Sequence, residues 1–168
     1  SRAEELGLSN VAFRMMDANE PDVEEGAFDA VLSRWGLMFL AQLDNTLAGI
    51  HHCLKPGGRL VAVVWGPPEG APTNSLADRV IRKKLGLPPP AEGPLTPFAL
   101  QDTEALMDRA RKAGFSDVSG DWIDVPIEFQ SEQEFADYRR DRASGIKKEL
   151  AKVSTEEQDA AWQAVADA

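Results

Sequence analysis

An α/β fold built on a parallel sheet is predicted by three features of the chain. Short apolar runs alternate with stretches whose apolar residues recur at helical spacing. Two of the runs, "FDAVLS" (28–33) and "RLVAVVW" (59–65), suit burial on both faces, as strands of a parallel sheet require. Between "LAGIHHC" and "RLVAVVW" stands Lys55-Pro56-Gly57-Gly58, an abrupt change from helical to extended periodicity.

Taken in order, "SRAEELGLSN" reads as the end of a helix stopped at Gly7, and "VAFRMM" (11–16) as a first strand. "DANEPDVEEGA" is a polar loop. "FDAVLS" is the second strand. Asp44 is expected to cap a helix carrying Leu47, Ile50 and Leu54 on one side. Pro56 lacks an amide hydrogen and the two glycines tolerate left-handed backbone, so the helix should end there and the third strand, 59–65, begin.

Residues 67–100 are rich in Pro and Gly around "TNSLADRVIRKKLG" and are expected to form an insertion or lid. Asp102 should cap a helix running to Ala113, with Leu106, Met107 and Ala110 on one side and Gly114 as its stop. Ile123, Val125, Ile127 and Phe129 alternate with polar residues and Pro126, the signature of an edge strand. Residues 130–168 read as a helical C-terminal region, with "SEQE" and "STEE" as capping boxes.

Charge and composition exclude several functions. The net charge is −10, with 5 basic and 9 acidic side chains over residues 1–66 and 13 and 19 beyond. Neither part offers a footprint for nucleic acid or anionic lipid, and "RVIRKK" reads as a solvated helix face. The single cysteine, Cys53, rules out an internal disulfide and suits a reducing cytoplasm. No apolar run is long enough to span a membrane. His51, His52 and Cys53 diverge by about 100° per residue on a helix and do not form a metal site. No GxSxG elbow, GxGxxG loop or P-loop is present, and Tyr138 in "YRRDR" lacks the lysine of a short-chain dehydrogenase.

In open parallel sheets ligands bind beyond the carboxyl ends of the strands. Three such ends carry suggestive residues: Met16-Asp17-Ala18, Ser33-Arg34-Trp35-Gly36 and Val64-Trp65-Gly66. A carboxylate there can accept from an exocyclic amine while a neighbouring N–H meets a ring nitrogen, or it can simply hold a turn.

The succession "MDANEPDVEEGAFDAVLSRWGLMFL", capped helix, "LKPGGRLVAVVWG" resembles class I S-adenosylmethionine-dependent methyltransferases, in particular the small-molecule branch of ubiquinone and menaquinone biosynthesis C-methyltransferases. The resemblance runs from about Arg2 to Phe129 and includes "PFALQDTEALMDRARKAGFSDV". It implies a partial Rossmann-like sheet with flanking helices and a single domain over 1–168. It also implies S-adenosylmethionine as cofactor and methyl transfer to a small-molecule acceptor, without nucleic acid or metal. Asp17 would accept from the adenine amino group, the Ala18 amide would face the ring, and Met16 would pack on it or serve as an ordinary core residue. Ser33 and Arg34 would lie beside the methionine portion. Trp35, Phe39 and Phe98 would wall the acceptor pocket or belong to the core.

The family's Gly-rich loop and its ribose-binding acidic residue have no counterpart in this sequence, so a fragment of a longer enzyme with weakened cofactor binding is expected. Val11–Met16 should then close against the next strand or pair in a strand-swapped homodimer. A non-catalytic scaffold that kept the fold, or another nucleotide-dependent α/β enzyme, is the competing expectation.

Overall fold

The computed structural model describes residues 2–90, 95–142 and 145–168. The elements are α1 (Arg2–Glu5), β1 (Phe28–Arg34), a 3-10 turn (Leu37–Phe39), α2 (Leu43–Cys53), β2 (Leu54–Val63), a second 3-10 turn (Pro68–Gly70), α3 (Pro72–Leu85), α4 (Thr103–Lys112), α5 (Glu132–Arg142), α6 (Lys147–Leu150) and α7 (Thr155–Ala166). Residues 91–94 of the expected insertion lie outside the described residues, as does Ser1.

β1 and β2 form a parallel pair, as the α/β reading requires. The Lys-Pro-Gly-Gly step proves to be something other than a helix stop. α2 already ends at Cys53, and β2 starts at Leu54, opposite Phe28. Ala30 pairs with Arg59, so Lys55–Gly58 loop out of the ladder as a wide bulge opposite Asp29. Gly57 takes the left-handed turn (φ +79°). A Cβ on Gly58 would sit 3.1 Å from the Asp29 carbonyl oxygen and 2.9 Å from that of Lys55. Lys55 Nζ then reaches both Asp29 carboxylate oxygens at 2.9 Å. β2 stops at Val63, two residues short of the expected end, although the Trp35 N–H still donates to the Val63 carbonyl at 2.8 Å.

Among the described residues, only one face of this sheet is covered. Val31 and its cross-strand partner Leu60 pack with Val64 against the buried Leu43, Leu47 and Ile50 of α2. On the other face the paired Leu32 and Val61 are 78% and 53% exposed.

α4 packs on α2 through Leu106, with an Arg109–Asp44 ion pair at 2.7 Å. Asp102 caps α4 as expected, its carboxylate accepting from the Ala105 N–H. Asp44 is not the cap of α2: Gln42 holds that position, and Asp44 sits in the first turn facing Arg109. Gly114 (φ +105°) lets the His51 ring approach to 3.0 Å of where a Cβ would be, and His51 meets Phe115 edge-to-face. His51 is thus a packing residue.

A second core lies among the later helices. Ala77 and Ile81 of α3 bury against Ala161, Trp162 and Val165 of α7, with Ala136 of α5 and Leu150 of α6. Ser154 and Glu157 close the capping box of α7. At α5 the Ser131 hydroxyl accepts from the Glu134 N–H, but the Glu134 carboxylate reaches the Gln130 N–H instead of completing the box on Ser131. "RVIRKK" is only partly solvated: Arg82 is buried, pairing with Asp78 at 2.7 Å and donating to the Pro88 carbonyl at 2.9 Å.

Two expected strands are not formed. Val11–Met16 and Ile123–Phe129 run without ladder partners, and Val11–Met16 does not close onto β1. Alternation alone cannot make a strand; it needs a neighbour to take its backbone hydrogen bonds. Phe13 and Met15 are accordingly fully in solvent, at 77% and 101% exposure.

Candidate functional site

β1 and β2 run parallel, so both carboxyl ends lie at the same edge of the sheet. A cavity of about 290 Å³ opens there, bounded by Met16, Ala18, Ser33, Gly36, Leu37 and Leu40, with Pro21, Thr46 and Ile50 completing the wall. Its volume lies at the lower edge of the roughly 300–1,000 Å³ usual for small-molecule pockets. A larger cleft of about 410 Å³ lies between Phe129, Phe135, Leu76 and Val165 in the helical core, away from the strand tips.

The cavity's near wall is held by a clamp that sequence reading did not anticipate. The Thr46 hydroxyl, buried on α2, donates to the Ala18 carbonyl at 2.7 Å. The Asn19 side-chain oxygen accepts from the Gln42 N–H at 2.9 Å, satisfying a donor at the start of α2. Pro21 lies on Gly49, where a Cβ would come within 2.3 Å of Pro21 Cγ. Three contacts therefore fix residues 18–21 along one helix. Thr46 and Gly49 fall on the buried side of an ordinary amphipathic pattern, so no local signal marks them.

Asp17 is exposed and does not line the cavity. Its Oδ1 accepts from both the Asn19 N–H (2.9 Å) and the Asn19 side-chain amide (3.0 Å). Those two bonds, the backbone one first, hold the carboxyl below its usual range by favouring the charged form.

Arg34 also stays out of the cavity. Successive residues of a strand point to opposite faces, so where Ser33 turns inward Arg34 turns away. Its guanidinium lies 4.7 Å from the centre of the Trp35 ring. Trp35 stacks on Trp65 with centroids 4.5 Å apart and planes within 6°. Trp35 has φ +56°, left-handed backbone that costs a non-glycine residue about 1–3 kcal/mol. The stack and the hydrogen bond to Val63 offset that cost. Trp122 closes in from the far side, its ring edge resting on Gly66. Phe39 is half exposed and Phe98 half-buried in the turn before α4; neither bounds the cavity. Of the eight site residues read from sequence, the structure brings Met16, Ala18 and Ser33 together. Trp35 and Arg34 stand beside them at the strand tip.

Residues 1–62 match the model of the methyltransferase domain family. They carry the whole strand-tip clamp and β1, α2 and most of β2. Residues 1–62 are thus similar to a methyltransferase domain. Curated relatives that the chain matches include the ubiquinone/menaquinone biosynthesis C-methyltransferase of Psychromonas ingrahamii, 30% identical over 79 residues (46% of this chain, 32% of the relative). The demethylmenaquinone methyltransferase of Thermus thermophilus is 39% identical over 67 residues (40% and 30%), and that of Streptomyces avermitilis 28% over 114 residues (61% and 48%). The chain thus spans about a third to a half of the length of these curated relatives. The mixed helix–strand architecture with a parallel pair of strands is compatible with a partial Rossmann-like methyltransferase fold. No helix among the described residues is long and apolar enough to cross a membrane.

Proposed function

We propose that the protein binds S-adenosylmethionine at the strand-tip cavity and serves methyl transfer to a small-molecule acceptor. The observation carrying this reading is that Met16, Ala18 and Ser33 line one cavity at the carboxyl end of β1. The walls suit the apolar part of such a cofactor: Met16, Leu37, Leu40 and Ile50 offer surface to a flat ring. Asp17 Oδ2, left over by the Asn19 turn, is the atom that would accept from an adenine amino group.

The cofactor brings a methyl carbon already activated by its sulfonium. Alignment and exclusion of water are the tasks left to the protein. The clamp of Thr46, Asn19 and Pro21 on α2 serves alignment by fixing Ala18. Leu37, Leu40 and Ile50 serve dehydration. The relatives are named for quinone biosynthesis, so a demethylmenaquinone-type acceptor is the first to test. The expected lid over 67–100 is proposed to contribute to acceptor choice, and the open β1 edge is the surface a strand-swapped homodimer would use. A reducing, cytoplasmic setting suits the lone buried Cys53 thiol.

Filling the cavity tests the reading. Leu40→Trp should abolish S-adenosylmethionine binding in equilibrium dialysis while leaving the urea midpoint within experimental scatter. Undiminished binding by a folded Leu40→Trp variant would place the cofactor elsewhere.

A further inference from the structure

The outer face of the β1–β2 pair has a defined chemistry. Parallel strands in globular proteins are covered on both faces, and α2 covers only the one carrying Val31 and Leu60. Alternation puts Leu32 and Arg34 of β1, with Arg59 and Val61 of β2, on the opposite face. Leu32 and Val61 are cross-strand partners at its centre and stand in solvent. Arg59 lies opposite Ala30 at one end and Arg34 opposite Val63 at the other, so a cation flanks the apolar centre on each side. Both arginines are exposed, and among the described residues neither has a carboxylate within ion-pair distance, unlike Arg14, Arg82, Arg109 and Arg140. The Trp35 ring beside Arg34 leaves that charge uncompensated. The folded chain keeps 11872 Å² accessible, where a compact monomer of 18.3 kDa exposes about 8,100 Å². An exposed apolar patch rimmed by polar groups marks an interaction site.

We propose that this face docks an amphipathic α-helix of a partner chain, its apolar residues on Leu32 and Val61 and one carboxylate reaching each arginine. A helix is about 10–12 Å across, which suits a face two strands wide. Four residues along β1 and one strand across set the Cα atoms of Arg34 and Arg59 about 14 Å apart. At 1.5 Å per residue the partner's two carboxylates therefore stand about eight to ten residues apart, with apolar residues between them. The chain's net charge of −10 disfavours a broadly acidic partner, so the rest of that helix is neutral or basic. A second copy of the same face is a poor occupant, because it would bring arginines against arginines. The surface is independent of the methyl-transfer reading, since Arg34 turns away from the cavity that Ser33 lines.

The probe is an acetylated, amidated helical peptide of about 18 residues, long enough to hold a helix. Leucines line one face, with a glutamate at each end of the leucine stripe, about nine positions apart. The control peptide carries lysine at those two positions. In amide NMR titrations of the full chain, Leu32, Arg34, Arg59 and Val61 should shift at about tenfold lower concentration with the glutamate peptide than with the lysine peptide. Val165 of the helical core should stay fixed. Arg34→Glu combined with Arg59→Glu should reverse the preference, and Arg59→Glu alone should lessen it, with circular dichroism verifying that each variant is folded. Equal titration by both peptides, no shift with either, shifts confined to other residues, or an unchanged preference in folded Arg59→Glu would each overturn the proposal. So would a wild-type dimer in sedimentation that Leu32→Gln dissociates, which would give the face to a second copy. Co-sedimentation with phosphatidylcholine–phosphatidylglycerol vesicles, lost in the doubly substituted chain, would give it to a lipid surface and equally overturn the helix.

Discussion

Replacing Gly49 by alanine sets two physical effects against each other. In an exposed helix the change would stabilise by up to about 1 kcal/mol, because alanine loses less backbone freedom. Here the new methyl carbon would stand 2.3 Å from Pro21 Cγ and 3.1 Å from its Cδ, against a comfortable separation of about 3.5–4.0 Å. Residues 18–21 must therefore retreat from α2 by roughly 1 Å. Overpacking of this kind costs about 1–3 kcal/mol. Retreat also strains the Thr46–Ala18 and Asn19–Gln42 hydrogen bonds, each worth about 0.5–1.5 kcal/mol net. The clash wins, and the net destabilisation should be about 1–2 kcal/mol. Urea unfolding followed by circular dichroism reads it as a lowered midpoint with an unchanged slope. The same substitution made in a Pro21→Ala background should cost nothing, since the offending ring atoms are gone. A Gly49→Ala protein more stable than the parent would refute the clamp, as would an equal cost in both backgrounds.

Other perturbations address separate parts of the molecule. Arg82→Met should destabilise by about 2–3 kcal/mol in urea, because it strands Asp78 and the Pro88 carbonyl at a buried position; an unchanged midpoint would return Arg82 to the solvated face. The Cys53 thiol, raised above its ordinary value by burial and donating to the Ile50 carbonyl, should react with a disulfide reagent at pH 8 at least about tenfold more slowly than in urea. Equal rates would show that α2 does not pack as described. Asp17 should titrate below its ordinary value of 3.8 by carbon-detected NMR. A depressed folded value means that the Asn19 turn adds stability above the unfolded value, lost as pH falls through the folded one. Asn19→Ala removes only the side-chain bond and should raise the midpoint part of the way, and an unshifted titration in the parent would remove the turn.

The legible parts of the molecule are those written in local pattern. The spacing of Leu47 and Ile50 marks α2, although Leu54, read with them, begins β2; Asp102 marks the start of α4, and the Ser154–Glu157 box marks α7. The apolar run at 11–16 and the alternation at 123–129 misled, because a strand exists only through a partner and none adjoins those segments among the described residues. Lys55–Gly58 was legible as a break but not as a bulge, since the bulge is defined by the register against Asp29 on another strand. The site shows the same division. Met16, Ala18 and Ser33 are marked by their place after apolar runs. Thr46, Pro21 and Gly49 act across about thirty positions of sequence and carry no local mark. Strand alternation, applied to Ser33 and Arg34, would have sent their side chains to opposite faces.

The most direct trial is an amide NMR titration of the chain with S-adenosylmethionine. Movement of Ala18 and Ser33, with Val165 of the helical core unmoved, is the predicted result even where saturation takes about millimolar ligand. Shifts clustered around Phe135 and Val165, or still amides at Ala18 and Ser33, would contradict it.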